Sequence, residues 1–285
     1  SGTYLPIYVN GGTVTNTNPG GTAILLGSEL NYTSGSIRGM NANLLDRMDG
    51  FKAVRQSDGY YCLAPDTGDF TVTGGIYGRD YKYGGNILKI STDTPLTVST
   101  DGTTTRDTIQ IADGVSANLT LAGVGVSSAS RAPLEVADGS AGNVTITLSG
   151  ENGLDTTAAG MAALQKKGGS GSLTINGDGR LSVSGGFNAP GIGSGDSGSY
   201  PISIQGGCYI LAETKAGNAL QMCIGAGREY RVTSGWQGVV SRASWPIGTE
   251  TERIKSFTVY GQVTLAGGPL DVSGYPILLA SEDAW

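Results

Sequence analysis

The chain has 285 residues, 48 of them glycine, with only 15% charged and a formal net charge of −6. That length suits two ordinary domains or one elongated one. The glycines follow no G-X-Y period, which excludes collagen; 18 Lys and Arg against 24 Asp and Glu give no polycationic face for nucleic acid; and no apolar run is long enough for membrane insertion.

In chain order, residues 7–15 (IYVNGGTVT) read as strand, turn and strand, 22–26 as a further apolar strand, and 30–39 repeat the pattern with a Ser-Gly turn. Residues 40–53 are the least strand-like: Leu44, Leu45 and Met48 fall on one face of a short helical turn, read as a loop or plug over the core. Tyr60, Tyr61, Phe70, Tyr77, Tyr81 and Tyr83 then make an aromatic-rich patch. FTVTGGIYG at 70–78 matches LSVSGGFNA at 181–189 almost position for position, which predicts that the central architecture reaches back into the first quarter.

From residue 109 the repeats are clearest: TIQIADG, LTLAGVGV, PLEVADG, VTITLSG, SLTINGDG and RLSVSGG. Short alternating segments cut by glycine turns at a coil-sized period are the signature of a solenoid. The stretch 173–227 gives it twice, ending once in G-I-G-S-G and once in C-I-G-A-G. The reading is an all-β, right-handed parallel β-helix of about ten coils forming one domain over 1–285. Leu119 and Leu121, Ile146 and Leu148, Leu173 and Ile175, and Leu181 and Val183 point inward in this reading. After Gly227 the regularity falters, so 228–256 is expected to be a loop or cap, since a terminal coil must hide its open strand edges.

The chain contains no histidine, which removes Ser-His-Asp and Cys-His systems and histidine-bound zinc. Cys62, Cys208 and Cys223 are odd in number; Cys208 and Cys223 either pair across coils or serve as small buried hydrophobes. Asp101, Asp107, Asp113, Asp138, Asp155, Asp178 and Asp196, with Arg106, Arg131 and Arg180, are the residues from which a lyase or hydrolase would draw. Four of these aspartates precede glycine, and an Asp-Gly pair is a turn former first. No catalytic set is assigned.

The run APLEVADGSAGNVTITLSGENGL at 132–154, followed by AGMAALQ, SLTINGDGRLSVSGG, APGIGSG and ISIQGG, resembles the glycine-rich β-helix modules of bacterial cell-surface and adhesin-like proteins. The resemblance covers about 105–227. Modules of this kind are common in gut Firmicutes and often described as carbohydrate-binding. The resemblance implies a parallel β-helix, secretion, an extracellular position at the cell surface and, in some members, binding of acidic or plant polysaccharides with calcium. The run Cys223–Gly227 departs from the G-I-G-x-G pattern, as do the coils after it.

A polysaccharide or glycoprotein glycan is therefore the expected partner, with no cofactor beyond a candidate calcium ion. Recognition is expected where loops break the coil pattern, because sugar rings pack on flat aromatics and carboxylated sugars suit the arginine fork. That selects Tyr77, Arg79, Tyr81 and Tyr83 in one segment, read as an exposed loop, and Arg228, Arg231, Trp236, Arg242 and Trp245 in the other. A capping role for the same aromatics, an enzyme on the β-helix and a stalk within a larger surface protein are the competing readings.

Overall fold

The computed structural model describes residues 7–20, 30–41, 50–137, 139–187, 189–193, 202–204, 208–215, 229–232, 239–240, 256–259, 262–265 and 268–271. Among them there is no helix. Four strands, β1 (Ile7–Asn16), β2 (Leu30–Gly39), β3 (Phe51–Arg55) and β4 (Tyr61–Pro65), form a mixed sheet in the order β1-β2-β4-β3. β1 and β2 run parallel, whereas β4 runs antiparallel to both its neighbours. The turn between β3 and β4 closes with Gln56 N donating to Tyr60 O at 2.7 Å, and Gly59 supplies a φ of 87°.

β5 (Thr71–Thr73) and β6 (Tyr81–Gly84) come next, followed by a parallel β-solenoid. Its first rung is β7 (Ile87–Ile90), β8 (Leu96–Ser99) and β9 (Thr104–Thr105); its second is β10 (Thr108–Ile111), β11 (Asn118–Ala122) and β12 (Gly125–Ser128). The third is β13 (Leu134–Val136), β14 (Val144–Ser149) and β15 (Glu151–Thr156), and the fourth β16 (Leu164–Lys166), β17 (Leu173–Gly177) and β18 (Arg180–Phe187). The fifth is β19 (Ile192–Gly193), β20 (Ile202–Ile204) and β21 (Tyr209–Lys215). β22 (Glu229–Val232), β23 (Val239–Val240) and β24 (Ser256–Val259) prolong two of the three sheets, and β25 (Gln262–Leu265) pairs antiparallel with β26 (Gly268–Asp271). The stack has about six turns.

Alternation builds the core. Leu88, Ile109, Leu134, Leu164 and Ile192 stand over one another on one sheet, and Leu96, Leu119, Ile146, Ile175 and Ile204 on the eight-stranded one. None of these ten is more than 2% exposed. Each such aliphatic side chain contributes about 1.5–3 kcal/mol by burial, and only stacking lets a narrow rung bury it. The corners need glycine where two rungs nearly touch: a Cβ on Gly179 would lie 2.7 Å from Gly150 O and from Ser149 N. At the Asp101–Gly102 corner both residues take positive φ, 51° and 80°, which glycine adopts freely and aspartate tolerates.

Several polar side chains lie inside, Lys166 and Asn152 among them. Lys166 follows Ile90, Ile111 and Val136 in one column, is 0% exposed, and donates to Gly168 O at 2.7 Å and Ser140 O at 3.4 Å. Asn152, 5% exposed, accepts from Val124 N at 2.9 Å and donates to Ser149 O, Gly150 O and Arg180 O at 3.1–3.3 Å. Each meets backbone groups at a corner, among them Gly150 O, which also accepts from Arg180 N at 2.7 Å.

Two expectations change here. The stack is shorter than ten turns, because β1–β4 form the separate mixed sheet and 70–84 form no parallel rung. β5 pairs antiparallel with β8, and β6 with β7 through a turn in which Gly85 and Asn86 take φ of 58° and 63°. Two consecutive left-handed residues make a tight hairpin and reverse the chain at once, whereas a parallel rung needs a long return. Of the plug expected at 40–53, residues 42–49 lie outside the described residues and Phe51–Arg55 is strand β3. Within 228–256, Glu229–Val232 and Val239–Val240 continue parallel sheets.

Candidate functional site

Two regions carry side chains that a partner could read. The first is the end of the solenoid under β5 and β6. Tyr81 is only 7% exposed and belongs to the core, with Phe70. Tyr77, half-buried, packs edge-on against Tyr81 at 5.6 Å between centroids and against Phe51 of the mixed sheet at 5.3 Å. Burial pushes the phenols of Tyr77 and Tyr81 upward. Tyr83 donates to Asp107 Oδ2 at 2.7 Å, and burial together with that carboxylate raises its phenol further. The same Asp107 oxygen accepts from Asp69 N at 3.2 Å, and Asp69 Oδ2 accepts from Thr105 at 2.7 Å.

Arg79 alone of this group projects outward. Its side chain is 66% exposed, and its Nε and Nη2 fork onto the two oxygens of buried Asp80 at 2.8 Å each. Asp80 also accepts from Ile76 N at 2.7 Å, and the Arg79 fork, then that amide, hold its carboxyl below the usual carboxylate value against the opposing effect of burial. The segment is not one exposed loop: residues 78–80 form a turn and Tyr81–Gly84 is strand β6, and the charge of buried Asp80 is met by the Arg79 fork next to buried Tyr81. Lys82 is outward and Tyr81 inward.

Arg228, Trp236, Arg242 and Trp245 lie outside the described residues. Arg231 lies on β22, in register between Ser203 and Thr258. Asp138 and Asp196 lie outside the described residues, and among the described candidates Asp101 accepts from Ser99 and Thr71 at one corner, Asp155 from Ser127 on another sheet, and Asp107 at the capped end, so these three do not converge. Among the described residues no three Asp, Glu, Cys or His side chains come together as a metal site. Cys208 is buried, and burial raises its thiol to about 11; Cys223 lies outside the described residues.

The second region was not singled out from the sequence. It is the outer face of the eight-stranded sheet. Its register places Asn118, Thr145, Thr174 and Ser203 in one column and Thr97, Thr120, Thr147 and Asn176 in the next. Parallel pairing spaces the members of a column about 4.8 Å apart, and alternate residues within a strand about 6.6 Å apart. The signal is present in LTVS, NLTLA, VTITLS and LTING, but outward threonine is also what any half-exposed strand prefers. Only the register turns these separate preferences into columns. Elsewhere, Phe187 is 51% exposed where β18 bulges against β21.

These features define a parallel β-solenoid with an antiparallel cap at one end. No known family model, curated protein or solved structure matches the chain.

Proposed function

We propose that this chain is a secreted or cell-surface binding module of the adhesin type that recognises a polysaccharide or a glycoprotein glycan. The observation that carries this reading is the pair of hydroxyl and amide columns on the eight-stranded sheet, repeated at fixed spacing over several rungs. Sugar hydroxyls are both donors and acceptors, and so are threonine hydroxyls, while asparagine offers one group of each kind. A rigid, repeating polar face suits a repeating polar chain. Asp101, Asp107 and Asp155, by contrast, sit in separate places, where each accepts hydroxyl hydrogen bonds, and supply no paired carboxylates for catalysis.

The test is incubation of the full chain with pectin, xylan, mannan, mucin glycans and matrix glycoproteins, following retention and new reducing or unsaturated ends together. Retention without new ends supports the proposal. New ends that vanish on substitution of an aspartate would make the protein an enzyme. Self-association without retention would make it a stalk.

A further inference from the structure

We infer that the outer face of the eight-stranded sheet takes a neutral linear glycan, laid along the solenoid axis so that it crosses the strands, about one sugar per rung. The inference rests on the glycan-binding reading and goes beyond it by naming the charge class and the direction of the ligand.

Direction follows from periodicity. The columns Asn118–Thr145–Thr174 and Thr120–Thr147–Asn176 run perpendicular to the strands. Each column repeats every ~4.8 Å, close to the advance of one pyranose in an extended chain. A glycan lying parallel to a strand would meet each column only once. Laid across the strands, it meets the same pair of groups at every rung.

The charge class follows from what surrounds the columns. The outward positions of β11, β14 and β17 in these columns carry no ionised group. The corners on either side carry more acids than bases: Asp93 and Asp113 precede β11 and its neighbours, Asp101 and Asp178 follow β8 and β17, and all four are exposed, while Lys167 precedes β17 and Arg180, beyond Asp178, pairs with Glu151 at 3.5 Å. With a net charge of −6 on the chain, a polyuronate would meet like charge along both rims. A neutral sugar would not, and its hydroxyls could donate to the rim carboxylates. Arg231, next in register beyond Ser203, is the first cationic residue along the column.

Outward threonine also stabilises sheets, so the test must remove hydroxyls without removing β-branched shape. The triple variant Thr120→Val, Thr147→Val, Thr174→Val does this. Calorimetric titration with cellohexaose, xylohexaose, mannohexaose and polygalacturonate would be run on the full chain at 20 and 300 mM salt. At least one neutral hexamer is expected to bind, with affinity changed less than twofold by salt. The triple variant, with an unchanged melting temperature, is expected to lose at least tenfold. Neutral binding that survives in the triple variant, or binding of polygalacturonate alone, would overturn the inference while leaving the glycan-binding reading intact. Retention of no glycan, neutral or acidic, would overturn both. If the triple variant melts early, the single Thr147→Val protein carries the same comparison, with a loss of threefold or more expected.

Discussion

Replacing Asn152 with leucine separates shape from hydrogen bonding inside the solenoid. Leu181 and Ile210 occupy the same column on the next two rungs, so a branched aliphatic side chain suits this column. The loss lies in the backbone groups that Asn152 serves. Val124 N donates to Asn152 Oδ1 at 2.9 Å, and Val124 is 1% exposed, so that amide has no access to water. An orphaned buried donor costs about 1–3 kcal/mol. The three carbonyls that accept from Nδ2 belong to Ser149, Gly150 and Arg180, all on exposed residues where water replaces most of the donor; together they lose about 1–2 kcal/mol. Burial of the leucine returns about 1–2 kcal/mol. The net expectation is a destabilisation of about 2 kcal/mol, read as a lower guanidinium midpoint in the β-sheet circular dichroism signal with the slope unchanged. A midpoint equal to or above that of the parent would refute the reasoning. It would mean that the Val124 amide is met in some other way and that Asn152 merely fills space.

Two further outcomes follow from groups at the capped end and in the fifth rung. Asp80 has its carboxyl held below the ordinary value of 3.8, so it contributes stability above about that pH and loses it as pH falls through the lower folded value. Asp80→Asn should therefore melt earlier than the parent at pH 7, by about 1 kcal/mol once screening at exposed Arg79 is counted, and the gap should close towards pH 2; a gap independent of pH would count against the ion pair. Cys208, buried and raised to about 11, should stay unlabelled by iodoacetamide at pH 8 in the folded protein and react in denaturant, as peptide mass mapping would show. Rapid native labelling would place its thiol at the surface.

The alternation that predicts inward residues was legible residue by residue. Leu119, Leu121, Ile146, Leu148, Leu173, Ile175, Leu181 and Val183 are all at most 1% exposed. Strand direction was not legible in 70–84, because FTVTGGIYG and LSVSGGFNA specify a strand and a turn equally well whether the partner is parallel or antiparallel. For β6 the Gly85–Asn86 turn decides it through two φ values at positions beyond the match, and β5 lies antiparallel to β8 with no such local signal. Lys166 was invisible for a different reason. A lysine in an alternating strand is assigned to water, and only the corner carbonyls of Ser140 and Gly168 make its interior position tenable. The hydroxyl columns depend on pairing between segments far apart in sequence, which a reading one segment at a time does not assemble.

The stacking also gives the molecule a mechanical character. Rungs follow one another along the axis like links in a chain, so a tension applied between the two ends of the solenoid is borne by every rung interface in turn rather than shared among them. The interfaces are unequal: the first and second rungs align over nine residue pairs in their three sheets, the third and fourth over thirteen. The weakest interface yields first, and each rung that peels releases a loop on the order of 25–30 residues, or ~90 Å of contour. Under load such a protein would lengthen in discrete steps and dissipate work at each one. On the capped side the antiparallel β5 and β6 are held against the first rung, so rupture there would need shear across hairpin bonds before the first rung could open.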